Sequence, residues 1–318
     1  MEERRNSGPA DPLAAARRAG RRAERVAGGA EELRQVLADR VRGGLAEPGG
    51  VDWEQVAARM VDAQAPGLAA RARELAALPV EQRLAGHALL HLLATAYQRV
   101  GELPAPLAAT VRGRVGFTVD TAALLAGPTV RDRWLVLGSR RRAEGPVTTR
   151  QTWLRGAKTG RPALLVDYDR PGQAPAPALP TGHLLEAELA FHPSAWPLRA
   201  VLGACHGGAE PAGAAPPGRP LAAAPAAYGE AVAADPWTES WPVLLAGAVP
   251  LPDPRGWRLT DDRHVLPVRP PAGGEAGLWR LAAVSGGRPV TVFGEYGHLG
   301  FEPVTVWDER GEPIAVPA

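Results

Sequence analysis

The chain has 318 residues, of which 45% are hydrophobic and 22% charged, a balance typical of a folded globular protein rather than a disordered one. The formal net charge of +2 excludes a polycation, and the single cysteine, Cys205, excludes an internal disulfide and a zinc knuckle built on several cysteines. A lone thiol, an N-terminus that opens with acids and arginines, and apolar runs far shorter than the roughly 20 residues that span a bilayer predict a soluble cytoplasmic protein.

Residues 1–128 are predicted to form a helical region. The segment from Asp11 to Ala46 is rich in Ala, Arg, Glu and Leu, and Asp11 followed by Pro12 is a typical helix start. A second helix is predicted from Asp52 to Ala65 and a third from Pro66 to Leu78. The next segment, "PVEQRLAGHALLHLLATAYQRV", is apolar over most of its circumference, which predicts the central helix of a bundle.

Beyond Pro128 the apolar residues recur with a period of two, and residues 129–202 are predicted to form a β-meander. The predicted strands are Trp134–Leu137, Val147–Leu154 and Pro162–Tyr168, with turns at Ser139–Gly145 and Gly156–Gly160. A further strand, "HLLEAELAFH", alternates apolar with polar residues, which is typical of a strand with one solvated face.

The rest of the chain is predicted to contain a linker and a second β-rich region. Residues 203–220 have the Gly, Ala and Pro content of a flexible linker, and residues 221–318 are predicted to hold a short helix followed by strands. In "LWRLAAVSGGRPVTVFGEY", the glycines Gly286 and Gly287 predict a hairpin with Leu278–Val284 as its first strand. The fold class is therefore predicted to be α+β, with an N-terminal helical bundle followed by a mostly antiparallel β-rich part with hairpins and meanders.

A fragment of a phosphate-binding loop is visible at "GAKT", residues 156–159. The phosphate loop requires a second glycine where Ala157 stands, and it opens a helix, whereas the residues that follow here have the pattern of a strand. The turn of a β-hairpin is therefore the favoured interpretation.

Catalytic and metal-binding patterns are weak. His87 and His91 are spaced i, i+4 on a predicted helix and are the weak candidates for metal ligands, but no third ligand lies nearby and the surrounding sequence is apolar. Ser285 lacks the glycines of a nucleophile elbow, and Cys205 lies in the predicted linker. The sequence predicts a protein that is not an enzyme, and a hydrolase or transferase that uses the two histidines stays as a second alternative.

The strongest signal is charge, because residues 131–170 hold ten basic and four acidic residues, a local charge of +6. A basic contact surface is predicted on this meander, with Trp134 and Trp153 as aromatic support. Its residues are Arg140, Arg141, Arg142, Arg150, Arg155, Lys158 and Arg161. Such a surface can meet an acidic protein, or it can bind nucleic acid by phosphate contacts and base stacking.

Several whole segments resemble one known family. The segments "ADPLAAARRAGRRAERVAGGAEELRQVLADRVRGGLA" and "WEQVAARMVDAQAPGLAARARELAAL" resemble the region that follows the zinc finger in bacterial SWIM zinc finger family proteins. The segments "TTRQTWLRGAKTGRPALLVDY", "AELAFHPSAWPLRAVLG" and "WRLAAVSGGRPVTVFGEY" resemble the β-rich remainder of those proteins. This likeness covers nearly the whole chain.

The resemblance implies a non-catalytic binding or scaffold protein that acts mainly through protein–protein interaction. Its implied partner is a protein, with ATPase-type systems among the candidates, and a nucleic-acid-binding protein is the alternative. The family's Cys-x-Cys and Cys-x-His zinc motif is absent, so no cofactor is implied for this chain, and zinc is expected only if a finger precedes it. A truncated or split relative of the family is expected.

Overall fold

The computed structural model describes residues 12–46, 50–144, 147–169, 177–271 and 274–317. Its contacts divide the chain into two compact units, Met1–Thr118 and Val119–Ala318. The first unit is helical and the second is rich in mostly antiparallel strands, which confirms the predicted fold class. No helix within the described ranges is both long enough and apolar enough to cross a membrane.

The described residues of the first unit form five helices: α1 (Pro12–Gly43), α2 (Trp53–Asp62), α3 (Pro66–Ala76), α4 (Val80–Gln98) and α5 (Ala105–Val115). The Asp52 carboxylate caps α2 by accepting hydrogen bonds from the first backbone N–H groups of that helix, and a proline begins α3. On α1 the buried stripe consists of Val26, Ala30, Leu33 and Leu37. The stripe ends there, because Val41, which the sequence pattern would add to it, is 42% exposed.

The second unit begins with a short helix, α6 (Thr121–Leu125), followed by β1 (Val130–Glu144), β2 (Val147–Gly156), β3 (Pro162–Asp169), β4 (His183–Phe191), β5 (Arg199–Cys205) and β6 (Glu210–Pro211). The order is β1-β2-β3-β5-β4, and β1 pairs with β4 as well, so the five strands close into a barrel. Only the β3–β5 pair is parallel among these pairings. The first barrel, β1 to β5, encloses Trp134, Leu154 and Leu189.

The same arrangement occurs a second time. After α7 (Ala223–Ala234) come β7 (Ser240–Asp253), β8 (Gly256–Thr260), β9 (Val265–Val268), α8 (Ala276–Ser285), β10 (Val290–Gly297), β11 (Gly300–Trp307) and β12 (Pro313–Ala315). Their order is β7-β8-β9-β11-β10, β10 also pairs with β7, and β9 is parallel to β11. The second barrel, β7 to β11, therefore repeats the connectivity of the first.

The two barrels share an apolar contact. Leu135, Leu137 and Trp153 of the first barrel pack against residues of the second in one buried cluster. Its members from the second barrel are Leu244, Phe293, Val304 and Trp307. The outer face of β1 and β2 is therefore covered within the unit.

Three local predictions differ from the structure. The segment Leu278–Val284 is not a strand but part of helix α8, because Leu278, Leu281 and Ser285 are buried at helical spacing. Gly286 takes a left-handed conformation that ends this helix rather than turning a hairpin. The predicted turn at Ser139–Gly145 is wrong, because β1 continues through Glu144.

Residues 203–220, predicted as a flexible linker, contain the end of β5 and all of β6. The backbone N–H of Arg219 also donates to the carbonyl of Leu244, which ties this segment to β7. Composition alone therefore did not reveal the hydrogen bonds of this segment.

The helical region was predicted to reach residue 128. The structure instead divides it from the β unit at Thr118, because α6 contacts β4 and β5.

Candidate functional site

The predicted basic residues do not share one surface. The connection between β1 and β2 and the turn at residues 157–160 lie at opposite ends of β2, which at ten residues is about 30 Å long. Arg141 and Arg142 lie near the first end, whereas Arg155, Lys158 and Arg161 lie near the second. The two groups of cations therefore form separate surfaces.

Arg140 and Arg150 were wrongly predicted as surface residues, because both are buried and paired. Arg140 lies 2.6 Å from the Glu302 carboxylate and 4.0 Å from that of Glu295, and its Nη2 donates to the Pro303 carbonyl at 3.3 Å. Arg150 Nη2 donates to the carboxylate of Asp167 across the β2–β3 pair at 3.4 Å. Part of the local charge of +6 is therefore neutralised inside the protein.

Trp134 and Trp153 were wrongly predicted as aromatic support for binding, because both side chains are fully buried. Trp134 lies in the core of the first barrel, where its Nε1 donates to the carbonyl of Ala187 at 3.0 Å. Trp153 lies between the barrels, with its ring centroid 6.0 Å from that of Phe293. Neither ring is available to stack on a base.

The turn at residues 157–160 is organised around the buried carboxylate of Asp132. The backbone N–H groups of Lys158 and Thr159 donate to Asp132 at 3.1 and 2.9 Å, and the Thr159 hydroxyl donates at 2.7 Å. Burial alone would raise the pKa of Asp132, but these hydrogen bonds, with one from the Arg133 N–H, hold it below its usual value. An internal anion thus occupies the amides that a phosphate would need, which supports the interpretation as a hairpin turn.

A cleft of about 160 Å³ opens beside this turn, between the two barrels. Arg155 and Gly160 line it from the first barrel, Trp241 lines it from β7, and Arg219 and Ala223 line it from the segment that precedes β7. Trp196, in the loop between β4 and β5, is 37% exposed, and its ring lies 6.0 Å from the ring of Trp241. The cleft therefore combines cationic and aromatic side chains.

The cations at the cleft have no acidic partners among the residues that the structure describes. Arg155 donates from Nη1 to the carbonyl of Pro217 at 3.1 Å, and Arg161 lies 3.5 Å from the centroid of the Phe191 ring. Lys158 and Arg219 are exposed, and neither side chain forms a described ion pair. The arrangement is suited to holding an anionic group, because no described carboxylate competes for these cations.

The two candidate histidines lie on α4 in the helical unit. His87 is buried, its Nδ1 is 2.7 Å from the carbonyl of Arg83, and its ring packs edge to face against Trp53. Burial lowers the pKa of His87, which keeps the ring neutral near pH 7. Within the described parts of the chain, no three His, Cys, Asp or Glu side chains come together as a metal site.

A family model for the SWIM-associated four-helix bundle domain matches residues 21–115. Residues 21–115 are therefore similar to a domain that accompanies SWIM zinc fingers. The match confirms the resemblance for α1 to α5, and it covers less than a third of the chain, so the β unit lies outside it. No curated protein and no solved structure matches the chain.

The closed five-stranded barrels have the connectivity of the OB-fold, a Greek-key barrel found in many binding proteins. The barrel alone does not assign a function, because function depends on the residues of the site. Sequence reasoning found Arg155, Lys158 and Arg161 but missed Arg219, Trp196 and Trp241. Arg219 was missed because the composition of residues 203–220 predicted a flexible linker. For Trp196, the only signal was the pair of nearby prolines, Pro193 and Pro197, which indicate a loop.

Proposed function

We propose that this SWIM relative is a non-catalytic binding protein whose β unit binds an acidic segment of a partner protein at the cleft between the barrels. The observation that carries the proposal is the placement of Arg155 and Arg219 beside Trp241, with Lys158 on the adjoining turn. Cationic side chains next to an indole are a common means of holding a carboxylate-bearing peptide.

The size of the site favours an acidic peptide over a polynucleotide. A cleft of about 160 Å³ accommodates an Asp or Glu side chain, whereas OB-folds that bind single strands use long grooves that follow four or more nucleotides. The outer face of β2, which other OB-folds use for nucleic acid, is covered here where Trp153 meets the second barrel.

Single-stranded nucleic acid is the second candidate, favoured by the barrel connectivity and by the exposed ring of Trp196 beside Trp241. A partner from an ATPase-type system agrees with the family resemblance. The proposed activity needs no cofactor, and the exposed free thiol of Cys205 supports a cytoplasmic location.

The test compares an acetylated, fluorescein-labelled peptide of glutamates and glycines with an oligodeoxythymidine by fluorescence anisotropy. The variant Lys158→Ser/Arg219→Ser removes Arg219 from the cleft lining and Lys158 from the adjoining turn. In it we expect the Kd for the peptide to rise about tenfold, since each lost charged contact is worth roughly 1 kcal/mol. The matched variant Arg141→Ser/Arg263→Ser removes the same charge from residues that lie neither in the cleft lining nor on the turn at residues 157–160, and we expect it to bind within about twofold of the wild-type protein.

Equal losses in both variants, or no binding of the peptide, would contradict the proposal. In the other outcome, the oligonucleotide binds tightly, with an affinity that falls steeply as salt rises and that depends on the cleft residues. That result would identify single-stranded nucleic acid, and not an acidic peptide, as the ligand of the cleft.

A further inference from the structure

The first part of helix α1 has no face packed into the core of the helical unit. From residue 13 onward, Val26 is the first buried residue of this helix, and residues 16–21 are all exposed. A helix that is exposed on all sides gains nothing from burial, so a partner or pairs within the helix have to support it. The exposed segment, residues 13–25, is called the arm below.

The arm carries five arginines on one face. Because an α-helix turns by about 100° per residue, the five side chains fall within an arc of about 140°. Glu24 is the one acidic residue of the arm, and it forms no described ion pair. The arm therefore has a local charge of +4. The arginines are Arg17, Arg18, Arg21, Arg22 and Arg25.

None of these arginines has an acidic partner among the residues that the structure describes. Nη2 of Arg22 donates to the carbonyl of Gly116 at 3.1 Å, and its guanidinium carbon lies 4.4 Å from the centroid of the Phe117 ring. Nη2 of Arg25 donates to the side-chain oxygen of Gln64 at 2.7 Å. The three that are exposed and form no described hydrogen bond or ion pair are Arg17, Arg18 and Arg21.

The arginines of the arm repel one another in the free protein. Arg17 and Arg21 are four residues apart, as are Arg18 and Arg22, and like charges at this spacing destabilise a helix. Gly20, between the two groups of arginines, weakens the helix further. A polyanion at this face would replace the repulsion by attraction, so its binding would also stabilise the arm.

The side chains of the arm favour a nucleic-acid duplex over a membrane or a protein. A helix that lies in a membrane interface inserts large apolar side chains, whereas Leu13 is the only large apolar residue of the arm. Protein interfaces are centred on apolar or aromatic anchors, which the arm lacks as well. The other residues are mostly alanine, so the helix is thin, and the major groove of B-DNA, about 12 Å wide, admits a helix of this diameter.

We propose that the arm lies in the major groove of double-stranded DNA, where its arginines bind the phosphates of the backbone. From Arg17 to Arg25 the helix rises by about 12 Å, and the planar guanidinium groups pair with phosphate oxygens through two hydrogen bonds each. Contacts to phosphates carry no base sequence, so the expected binding is independent of sequence. The proposal is separate from the cleft in the β unit, because it rests on α1 alone.

The first test is fluorescence anisotropy of the full chain with a labelled DNA duplex of about two helical turns. In the arm variant, Arg17→Gln/Arg18→Gln/Arg21→Gln, we expect the Kd to rise about tenfold or more at about 0.1 M salt. The slope of the logarithm of affinity against the logarithm of salt concentration should become shallower by about 3, because each lost phosphate contact releases about one counterion fewer.

The matched control is Arg263→Gln/Arg280→Gln/Arg310→Gln, which removes the same charge from exposed positions of the β unit. We expect it to bind the duplex within about twofold of the wild-type protein, because salt screens charges outside the contact. The helical circular dichroism of the arm variant is expected to be unchanged or stronger, since the substitutions remove repulsion between like charges. Lost binding in that variant is therefore not explained by misfolding.

The second test asks whether the helix, and not charge alone, is needed. Ala19→Pro breaks the helix within the arm but keeps all five arginines, and we expect it to raise the Kd for the duplex about fivefold or more. Ala19→Ser is the control and is expected to bind as the wild-type protein does. The variant Lys158→Ser/Arg219→Ser should also bind the duplex normally, which separates the arm from the cleft.

No binding of the duplex at low salt, or equal losses in the arm variant and its control, would overturn the proposal. Unchanged binding by Ala19→Pro would overturn the placement of a helix in the groove. Co-sedimentation with vesicles that contain phosphatidylserine is the comparison with a membrane. Tighter binding to these vesicles than to the duplex, lost in the arm variant, would contradict DNA as the ligand of the arm.

Discussion

The carboxylate of Asp132 accepts two hydrogen bonds from Thr159, one from its backbone N–H at 2.9 Å and one from its hydroxyl at 2.7 Å. These bonds fix the turn that carries Lys158, the only lysine of the chain. In the sequence this turn resembles part of a phosphate loop. In the structure the Asp132 carboxylate, an internal anion, holds it in place. The turn lies beside the cleft, and its Lys158 and Thr159 amides are already engaged by Asp132.

Asp132→Asn is expected to destabilise the β unit by about 1–3 kcal/mol, because it weakens hydrogen bonds to a buried charged acceptor. Urea denaturation followed by tryptophan fluorescence measures this change, since eight of the nine tryptophans lie in the β unit. Asp262→Asn, in an exposed position, is the control and is expected to leave the midpoint unchanged.

The effect of Asp132 on stability is also expected to depend on pH. Because the folded-state pKa lies below the unfolded value of about 3.9, the stabilisation is complete above that pH and is lost as pH falls through the folded-state pKa. The wild-type protein and Asp132→Asn should therefore converge in acid. A difference that does not shrink as the pH falls below the unfolded value of about 3.9 would contradict this account.

Glu302→Gln is expected to destabilise the β unit by about 3–5 kcal/mol, because it leaves the buried Arg140 without its 2.6 Å ion-pair partner. Glu295→Gln should behave differently. Burial raises the pKa of Glu295 despite the attraction of Arg140, so its ionised form is costly at pH 7 and that cost disappears as pH falls through the raised pKa.

The Glu295→Gln variant is therefore expected to be as stable as the wild-type protein at pH 7, or more so. Urea midpoints of the two variants at pH 7 make the comparison. Equal losses of stability for Glu302→Gln and Glu295→Gln would show that the two carboxylates contribute alike.

Gly67→Ala is expected to destabilise the helical unit by about 1–3 kcal/mol. A Cβ at this position would collide with the backbone carbonyl of Arg114, so α3 and α5 would have to separate. Gly113→Ala, on α5 with open space around it, is expected to stabilise the unit by about 0.5–1 kcal/mol. Thermal unfolding followed by circular dichroism at helical wavelengths should shift in opposite directions for the two variants.

Acid is expected to destabilise the helical unit through His87. Burial, with smaller contributions from Arg40 and Arg83, holds the folded-state pKa of His87 below the unfolded value of about 6.5. The unfolded chain therefore takes up this proton first, and stability falls as pH drops below about 6.5. His87→Gln should reduce the pH dependence of the helical melting temperature, and an unchanged dependence would rule out His87 as its source.

Local signals in the sequence were sufficient for much of the fold. Prolines at the starts of α3 and α4 predicted the boundaries of these helices, and alternation predicted β2, β3 and β4. Alternation failed for Leu278 and Leu281, because a short segment rich in Leu and Ala fits either period until its burial is known. The repeated barrel connectivity was not visible, since α8 separates β9 from β10 while the first barrel has no described helix between β3 and β4.

The candidate site was predicted only in part. Lys158 and Arg155 were found from local charge, but charge density could not distinguish them from Arg140, whose partner Glu302 lies far along the chain. Arg219 and Trp241 reach the cleft only through the packing of the two barrels. Residues that are distant in the sequence but close in the fold decide which cations are buried. Local sequence patterns carry no information about such contacts.

The most direct test of binding at the cleft is a carbodiimide crosslink to the one lysine. An acetylated peptide of glutamates and glycines, bound and then activated, is expected to form an amide with Lys158, and mass spectrometry of the digest locates the bond. Arg219→Ser should reduce the yield at Lys158, whereas Arg263→Ser should not. A peptide that binds but joins only the α-amino group of the chain, with Lys158 unmodified, would contradict the account.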